Sequence, residues 1–133
     1  MKPRRAMTIT LVVVLAVLAL SAKPAFAATA SCYGPGLFGN PMASGAILNE
    51  GTIALAHRSL DVGTKHRIGA RLMVKAGNGR ARMMLVRDRG PFVHGRTLDI
   101  THAGVRKLGV SSCHAWGVRS VRTWRYPYRR AAR

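Results

Sequence analysis

The chain has 133 residues, of which 22 are lysine or arginine and only four are acidic, giving a formal net charge of +18 at pH 7. That length suits one compact domain, and two cysteines with five scattered histidines lack zinc-ligand spacing, so no metal site and no cofactor are expected. Such a charge ordinarily suggests nucleic acid, but the start of the chain argues against it.

Residues 1–27 read as a secretory signal peptide: Lys2, Arg4 and Arg5, then an uncharged apolar run from Ile9 to Leu20, then the small-x-small pattern Ala25-Phe26-Ala27. The apolar run is about 12 residues, short of the ~20 that cross a bilayer, so no transmembrane segment is expected in the mature protein. Thr29-Ala30-Ser31-Cys32 lacks the large aliphatic residue three places before the cysteine, and lipid anchoring is not expected. Cleavage near Ala27 would leave a periplasmic or secreted protein with a net charge of about +14, expected to be a monomer. Its expected partner is an anionic extracytoplasmic polymer or surface rather than nucleic acid, although a merely solubilising charge accounts for the composition equally well.

In the mature chain a short strand is predicted over residues 30–33 and another over 52–56. Over residues 66–75, Ile68, Ala70, Leu72 and Val74 alternate with Arg67, Gly69, Arg71 and Met73, which predicts a half-buried strand with a basic outer face. Gly77-Asn78-Gly79 follows, and Asn-Gly offers the positive φ values of a tight hairpin, so residues 80–87 should return antiparallel. A helix is predicted over 101–108, with Thr101 as its cap, Arg106 and Lys107 at the negative end of its dipole and Gly109 ending it. A last strand is expected over 118–125, followed by an Arg-rich tail, 126–133, without periodicity. Short strands joined by turns suggest a closed barrel, because closure removes exposed sheet edges.

Chemistry concentrates in residues 86–101, where Asp88 and Asp99, two of the four carboxylates, flank Arg89-Gly90-Pro91-Phe92 and Gly95-Arg96. Together with Ala30-Ser31-Cys32-Tyr33-Gly34-Pro35-Gly36, Ala43-Ser44-Gly45, Ala56-His57-Arg58-Ser59-Leu60, Gly63-Thr64 and Leu98-Asp99-Ile100-Thr101, this stretch resembles the rare lipoprotein A (RlpA) family. The resemblance runs from about Ala30 to Trp124. It implies a mainly β fold, a six-stranded double-psi β-barrel with one or two short helices over residues 28–125, related to expansins. It also implies a peptidoglycan lytic transglycosylase that cuts peptide-free glycan strands without hydrolysis.

The chain departs from the family where catalysis is concerned. The family typically reads Ser-Gly-Glu-x-Phe/Tyr-Asp with a histidine eight residues later; here Ala46 replaces the Glu, Asn49 replaces the Asp, and His57 is kept. Neither replacement can donate and retrieve a proton. Glu50 is one residue off, which on an extended segment turns it to the opposite face. An alternative reading is therefore a non-catalytic, expansin-like module that binds cell-wall glycan.

By resemblance Asp99 holds the position of a single catalytic acid, with His57 and Asp88 as further catalytic candidates. Each has a structural alternative: Asp99 as a partner of Thr101, His57 as a hydrogen-bonded core histidine, Asp88 as an Asx cap of its own turn. Tyr33 is a candidate for stacking on a sugar ring or for the barrel wall. Arg67, Arg71, Arg89 and Arg96 are candidates for pairing with lactyl carboxylates of the glycan. Cys32 and Cys113, the only cysteines of a chain read as exported, are expected to form a disulfide.

Overall fold

The computed structural model describes residues 25–58 and 67–126. The bulk of the leader, the Ser59-Leu60 and Gly63-Thr64 motifs with Asp61 and His66, and the tail beyond Tyr126 lie outside the described residues. In chain order the elements are β1 (Phe26–Tyr33), β2 (Ala54–His57), β3 (Arg71–Lys75), β4 (Ala81–Arg89), β5 (Leu98–Thr101), α1 (His102–Lys107), α2 (Cys113–Trp116) and β6 (Arg119–Arg125). The six strands close in the order β1-β5-β2-β4-β3-β6, with β1/β5 and β2/β4 parallel and the other four pairs antiparallel. This is the double-psi β-barrel that the sequence motifs imply.

Alternation fills the barrel. Ala28, Ala30, Leu55, Leu72, Val74, Met84, Val86, Leu98, Ile100 and Val121 all point inward and form one cluster with Val105, Leu108 and Trp116 from the helical segments. Every strand supplies at least one inward residue, so the core belongs to no single hairpin.

Three predicted elements begin or turn differently. The first strand starts at Phe26 rather than at residue 30, so that Phe26 and Ala27, read from the sequence as the end of the leader, pair with Thr123 and Arg122 of β6. The third strand starts at Arg71, not at 66, because residues 67–70 fold into a turn in which the Ala70 amide donates to the Arg67 carbonyl (2.9 Å). Ile68, expected on the buried face, is 37% exposed. The β3–β4 connection is a three-residue loop in which only Gly79 takes positive φ (+88°), and Asn78 does not. The Gly79 amide closes a turn on Ala76 O (3.0 Å), the arrangement of a turn followed by a left-handed glycine. Asn78 works through its side chain instead: Oδ1 accepts from the Arg80 amide (3.0 Å), and Nδ2 donates to Leu108 O (2.8 Å) at the end of α1.

The predicted helix is present with its predicted cap. Thr101 Oγ1 accepts from the Gly104 amide (3.2 Å) and also from the Ala54 amide (3.1 Å), so one hydroxyl joins the helix start to β2. Gly104 lets α1 lie close on β5, since a Cβ there would stand 2.7 Å from Ile100 Cγ2. Gly109 has φ +85°, and past it the chain turns back. The sequence reading gave no strand to Leu98–Thr101 and no helix to Cys113–Trp116.

α2 is fixed to β1 at two points. Trp116 Nε1 donates to Ala30 O (3.1 Å), and Cys32 is disulfide-bonded to Cys113, with Cα atoms 5.2 Å apart and 81 residues of separation. Arg119 lies 4.5 Å over the Trp116 ring and donates to Trp116 O and Ala115 O, which closes the outer side of the helix. Replacing both cysteines by serine is expected to lower unfolding stability by about 2–4 kcal/mol on the chain-entropy model, measured by denaturant titration of oxidised wild type against the variant.

Candidate functional site

β2 has only four residues, and β4 and β5 bind its two edges. Ala56 therefore faces Asp99 of β5 on one side and Asp88 of β4 on the other, and Asp99 faces Ser31 of β1 in the next pair. Directly opposed residues share a face of the sheet. The row Asp88, Ala56, Asp99, Ser31 thus runs across four strands, placing the two acidic residues two strand spacings, about 10 Å, apart along the sheet.

Asp88 reaches this face through a bulge. Up to Val86 the even-numbered residues of β4 point into the core, as Met84 and Val86 do. The register then skips Arg87: Leu55 pairs with Val86, but Ala56 pairs with Asp88. The inserted residue shifts the phase of the strand, so Asp88 turns outward where regular alternation would have sent it inward.

Asp88, Ala56 and Asp99 line a groove of about 550 Å³, while Ser31 lies buried beside it. Tyr33, Ala56, Asp88 and Asp99 form its base, Met42 and Leu48 come from the segment between β1 and β2, and Arg89, Phe92, Val93 and Arg96 come from the end of β4 and the β4–β5 connection. Asp88 fastens the first of these segments. Its Oδ1 accepts from the Ala43 amide and from the Arg89 amide, both at 2.9 Å, while the Ser44 amide donates to the bulge carbonyl of Arg87 (2.9 Å). The Tyr33 hydroxyl points at Met42 Sδ, 3.7 Å away.

Burial holds the Asp99 carboxyl above its ordinary range; the Ser31 hydroxyl and the positive charge of Arg96 pull it back, and the Asp88 charge adds a smaller push upward. The net direction is up. Ser31 is 4% exposed, and neither its Oγ nor Asp99 Oδ1 has a well-formed hydrogen-bond partner, so the hydroxyl is a neighbour of the carboxyl rather than a firm donor to it. Phe92 is 81% exposed at the rim of the groove, and Leu98 faces the core. Tyr33 is also pushed up, first by burial and then by the charges of Asp88 and Asp99, and stays a neutral phenol.

Of the sequence-predicted residues, the fold brings Tyr33, Asp88, Arg89, Arg96 and Asp99 together. His57 does not join them: it is 5% exposed and pairs with Leu98 in register, on the opposite side of β2 from Ala56. Arg67 and Arg71 do not line the groove either, because β4 stands between β3 and the β2 side of the barrel. Glu50 borders a separate crevice with Ile53, Ala103, Arg106 and Lys107. Ala46 and Asn49 are not among the lining residues, and Asn49 Oδ1 accepts from the Gly51 amide (3.0 Å) within its own turn. Among the described residues no three histidine, cysteine or acidic side chains are grouped to hold a metal ion. Sequence reasoning missed Ser31 and Ala56, whose only signal is their strand parity.

No protein-family model matches the chain. It is 35% identical over 92 residues to a probable endolytic peptidoglycan transglycosylase RlpA from a Synechocystis species, covering 69% of this chain and 26% of that one. The corresponding protein of Aquifex aeolicus is 43% identical over 82 residues, covering 61% and 34%, and the endolytic peptidoglycan transglycosylase RlpA of Yersinia pestis is 32% identical over 83 residues, covering 62% and 22%. The barrel is an RlpA-like domain. The chain spans roughly a fifth to a third of the length of these relatives. In fold, the RlpA-like barrel is similar to an expansin from Clavibacter michiganensis (TM-score 0.59, 19% identity, 81% of this chain and 53% of that one) and to a Streptomyces papain inhibitor (TM-score 0.55, 19% identity, 77% and 93%).

Two outcomes test the site's physics. Because the folded-state pKa of Asp99 is raised, the folded protein binds that proton more tightly than the unfolded chain; the group's favourable contribution is complete below its unfolded pKa and is lost as pH rises through the folded value. Asp99→Asn should therefore raise the melting temperature at pH 7 relative to wild type, and the advantage should disappear on acidification to below about pH 4. Asp88→Ala frees the Ala43 amide and should cost about 1–3 kcal/mol, with faster hydrogen exchange at Ala43.

Proposed function

We propose that the chain is an exported peptidoglycan-acting protein in which residues 28–125 form the working domain, residues 1–27 are removed as a leader, and the groove holds a glycan strand. The observation that carries this reading is Asp99: an acid whose carboxyl is biased towards the protonated form at the base of an open groove, with Arg96 near enough to influence it. The names of the RlpA relatives supply the substrate class.

A single carboxyl group suffices for lytic cleavage. Protonated Asp99 gives its proton to the glycosidic oxygen as the bond from that oxygen to C1 breaks. The resulting carboxylate takes the proton of the same sugar's 6-hydroxyl as that oxygen bonds to C1 and closes an anhydro ring. The proton count returns to its start and no water is consumed, unlike hydrolysis by two carboxylates. Arg89 and Arg96, at the groove wall, are placed to pair with lactyl carboxylates of a strand without stem peptides. Tyr33 offers an uncharged ring to a sugar, and His57 acts from the core side, as support rather than as a group in contact with substrate.

A second reading, a glycan-binding module without turnover, is favoured by Ala46 and Asn49, since the side chain of Asn49 is already engaged in a local turn. Product chemistry separates the two. Incubating the protein with peptide-free glycan strands should give anhydro-sugar ends by mass spectrometry, and Asp99→Asn should reduce their rate of formation about 100-fold or more while binding persists. The wild-type rate should fall as pH rises through the raised pKa of Asp99, and binding should weaken between low salt and 0.5 M salt, where exposed pairs are screened beyond roughly 4 Å. A protein that binds but yields no anhydro ends, and gains them only on Ala46→Glu with Asn49→Asp, is the binding module.

A further inference from the structure

The barrel has a second worked face, away from the groove. On β3 the residues that alternate with core Leu72 and Val74 are Arg71, Met73 and Lys75. Met73 pairs with Met83 of β4 on one side and with Trp124 of β6 on the other, and Lys75 pairs with Arg122. Arg71 pairs with Leu85, and its carbonyl accepts from the amide of Tyr126, which is 45% exposed. The result is a half-buried apolar row, Met83-Met73-Trp124, bracketed by exposed Arg71 on one side and by exposed Lys75 and Arg122 on the other. The two helices pack on β1, β2 and β5, not on this face.

We propose that this face docks on an anionic lipid bilayer, with Trp124 and the two methionines entering the headgroup boundary and Lys75 and Arg122 meeting lipid phosphates. Charge complementarity is the first argument. Among the described residues the acidic ones lie elsewhere, Asp88 and Asp99 in the groove and Glu50 beside α1, whereas Lys75 and Arg122 are exposed on this face. The second is where the chain leaves the barrel. Phe26 pairs with Thr123 and Tyr126 follows β6, so both ends depart from the same end of the β1/β6 pair. The sequence that follows Tyr126 carries Arg129, Arg130 and Arg133 and no acidic residue. A polysaccharide fits less well, because two methionines offer no strong hydrogen-bonding partners to sugar hydroxyls beside the indole. An aromatic and sulfur-rich row between cations suits the boundary between acyl chains and headgroups.

The test uses the full chain and reads Trp124, because Trp116 is already buried and dry. With vesicles of brominated phosphatidylcholine and phosphatidylglycerol, tryptophan emission should shift to the blue and be quenched, and the effect should vanish in Trp124→Phe. Lys75→Gln with Arg122→Gln, both at exposed positions, should weaken the effect about 10-fold, with circular dichroism confirming an unchanged fold. The apolar leader can hold the chain on vesicles by itself, so bulk sedimentation does not count. Vesicle binding without Trp124 quenching, equal quenching by pure phosphatidylcholine, quenching unchanged in the double variant, or a Trp124 response to peptide-free glycan strands but not to vesicles would each overturn the proposal.

Discussion

The pairing of β2 between β4 and β5 is the constraint on which the groove depends. β2 is four residues long and buried throughout, yet it closes the barrel between a parallel and an antiparallel neighbour. Only that position brings residues 43 apart in sequence, Ala56 and Asp99, and 32 apart, Ala56 and Asp88, into one row. The Thr101 hydroxyl, bonded to the amides of Ala54 and Gly104, ties the strand to the start of α1 and keeps β2 in register where it has few backbone bonds of its own. A strand this short holds its place through its neighbours rather than through its own propensity.

Asp99 places function and stability in opposition. A half-buried carboxyl whose ionised form is disfavoured weakens the fold near neutral pH, and a chain selected for stability alone would carry a neutral residue there. Ala56 keeps the space above it open, Arg96 tempers the bias without removing it, and the Cys32–Cys113 bridge braces β1 one residue from Ser31. Stiffness around the groove comes from elements that do not enter it.

Much of this was legible in the sequence because it rests on local chemistry. Alternation from Ala70 to Lys75, the glycine after Asn78, and the cap at Thr101 with Gly109 beyond are decided by neighbours in the chain, and these elements were placed within a few residues. β5 was not, since four residues reading Leu-Asp-Ile-Thr carry too few periods to separate strand from helix cap, and its pairing partners lie on β1 and β2. The site followed the same division. Residues from the Asp88 and Asp99 motifs converge, because a single connection joins their strands, whereas the inward turn of His57 and the placement of Arg71 on another face follow from strand order, which no local pattern states. Ile68 continued the hydrophobic alternation but lies in a turn, where a backbone bond between Ala70 and Arg67 outweighed the period.

The bulge at Arg87 makes the groove depend on a count of residues as well as on their identity. Substitutions around it alter a side chain and leave the rest of the row in place. Straightening the bulge with the residue count kept would restore regular alternation, turning Asp88 towards the core and presenting Arg87 opposite Ala56, while the loop held by the Asp88 carboxylate and the Arg87 carbonyl would lose both its anchors at once. The segment between Val86 and Arg89 is therefore bound by parity. A regular strand of the same sequence would present a different floor to the groove.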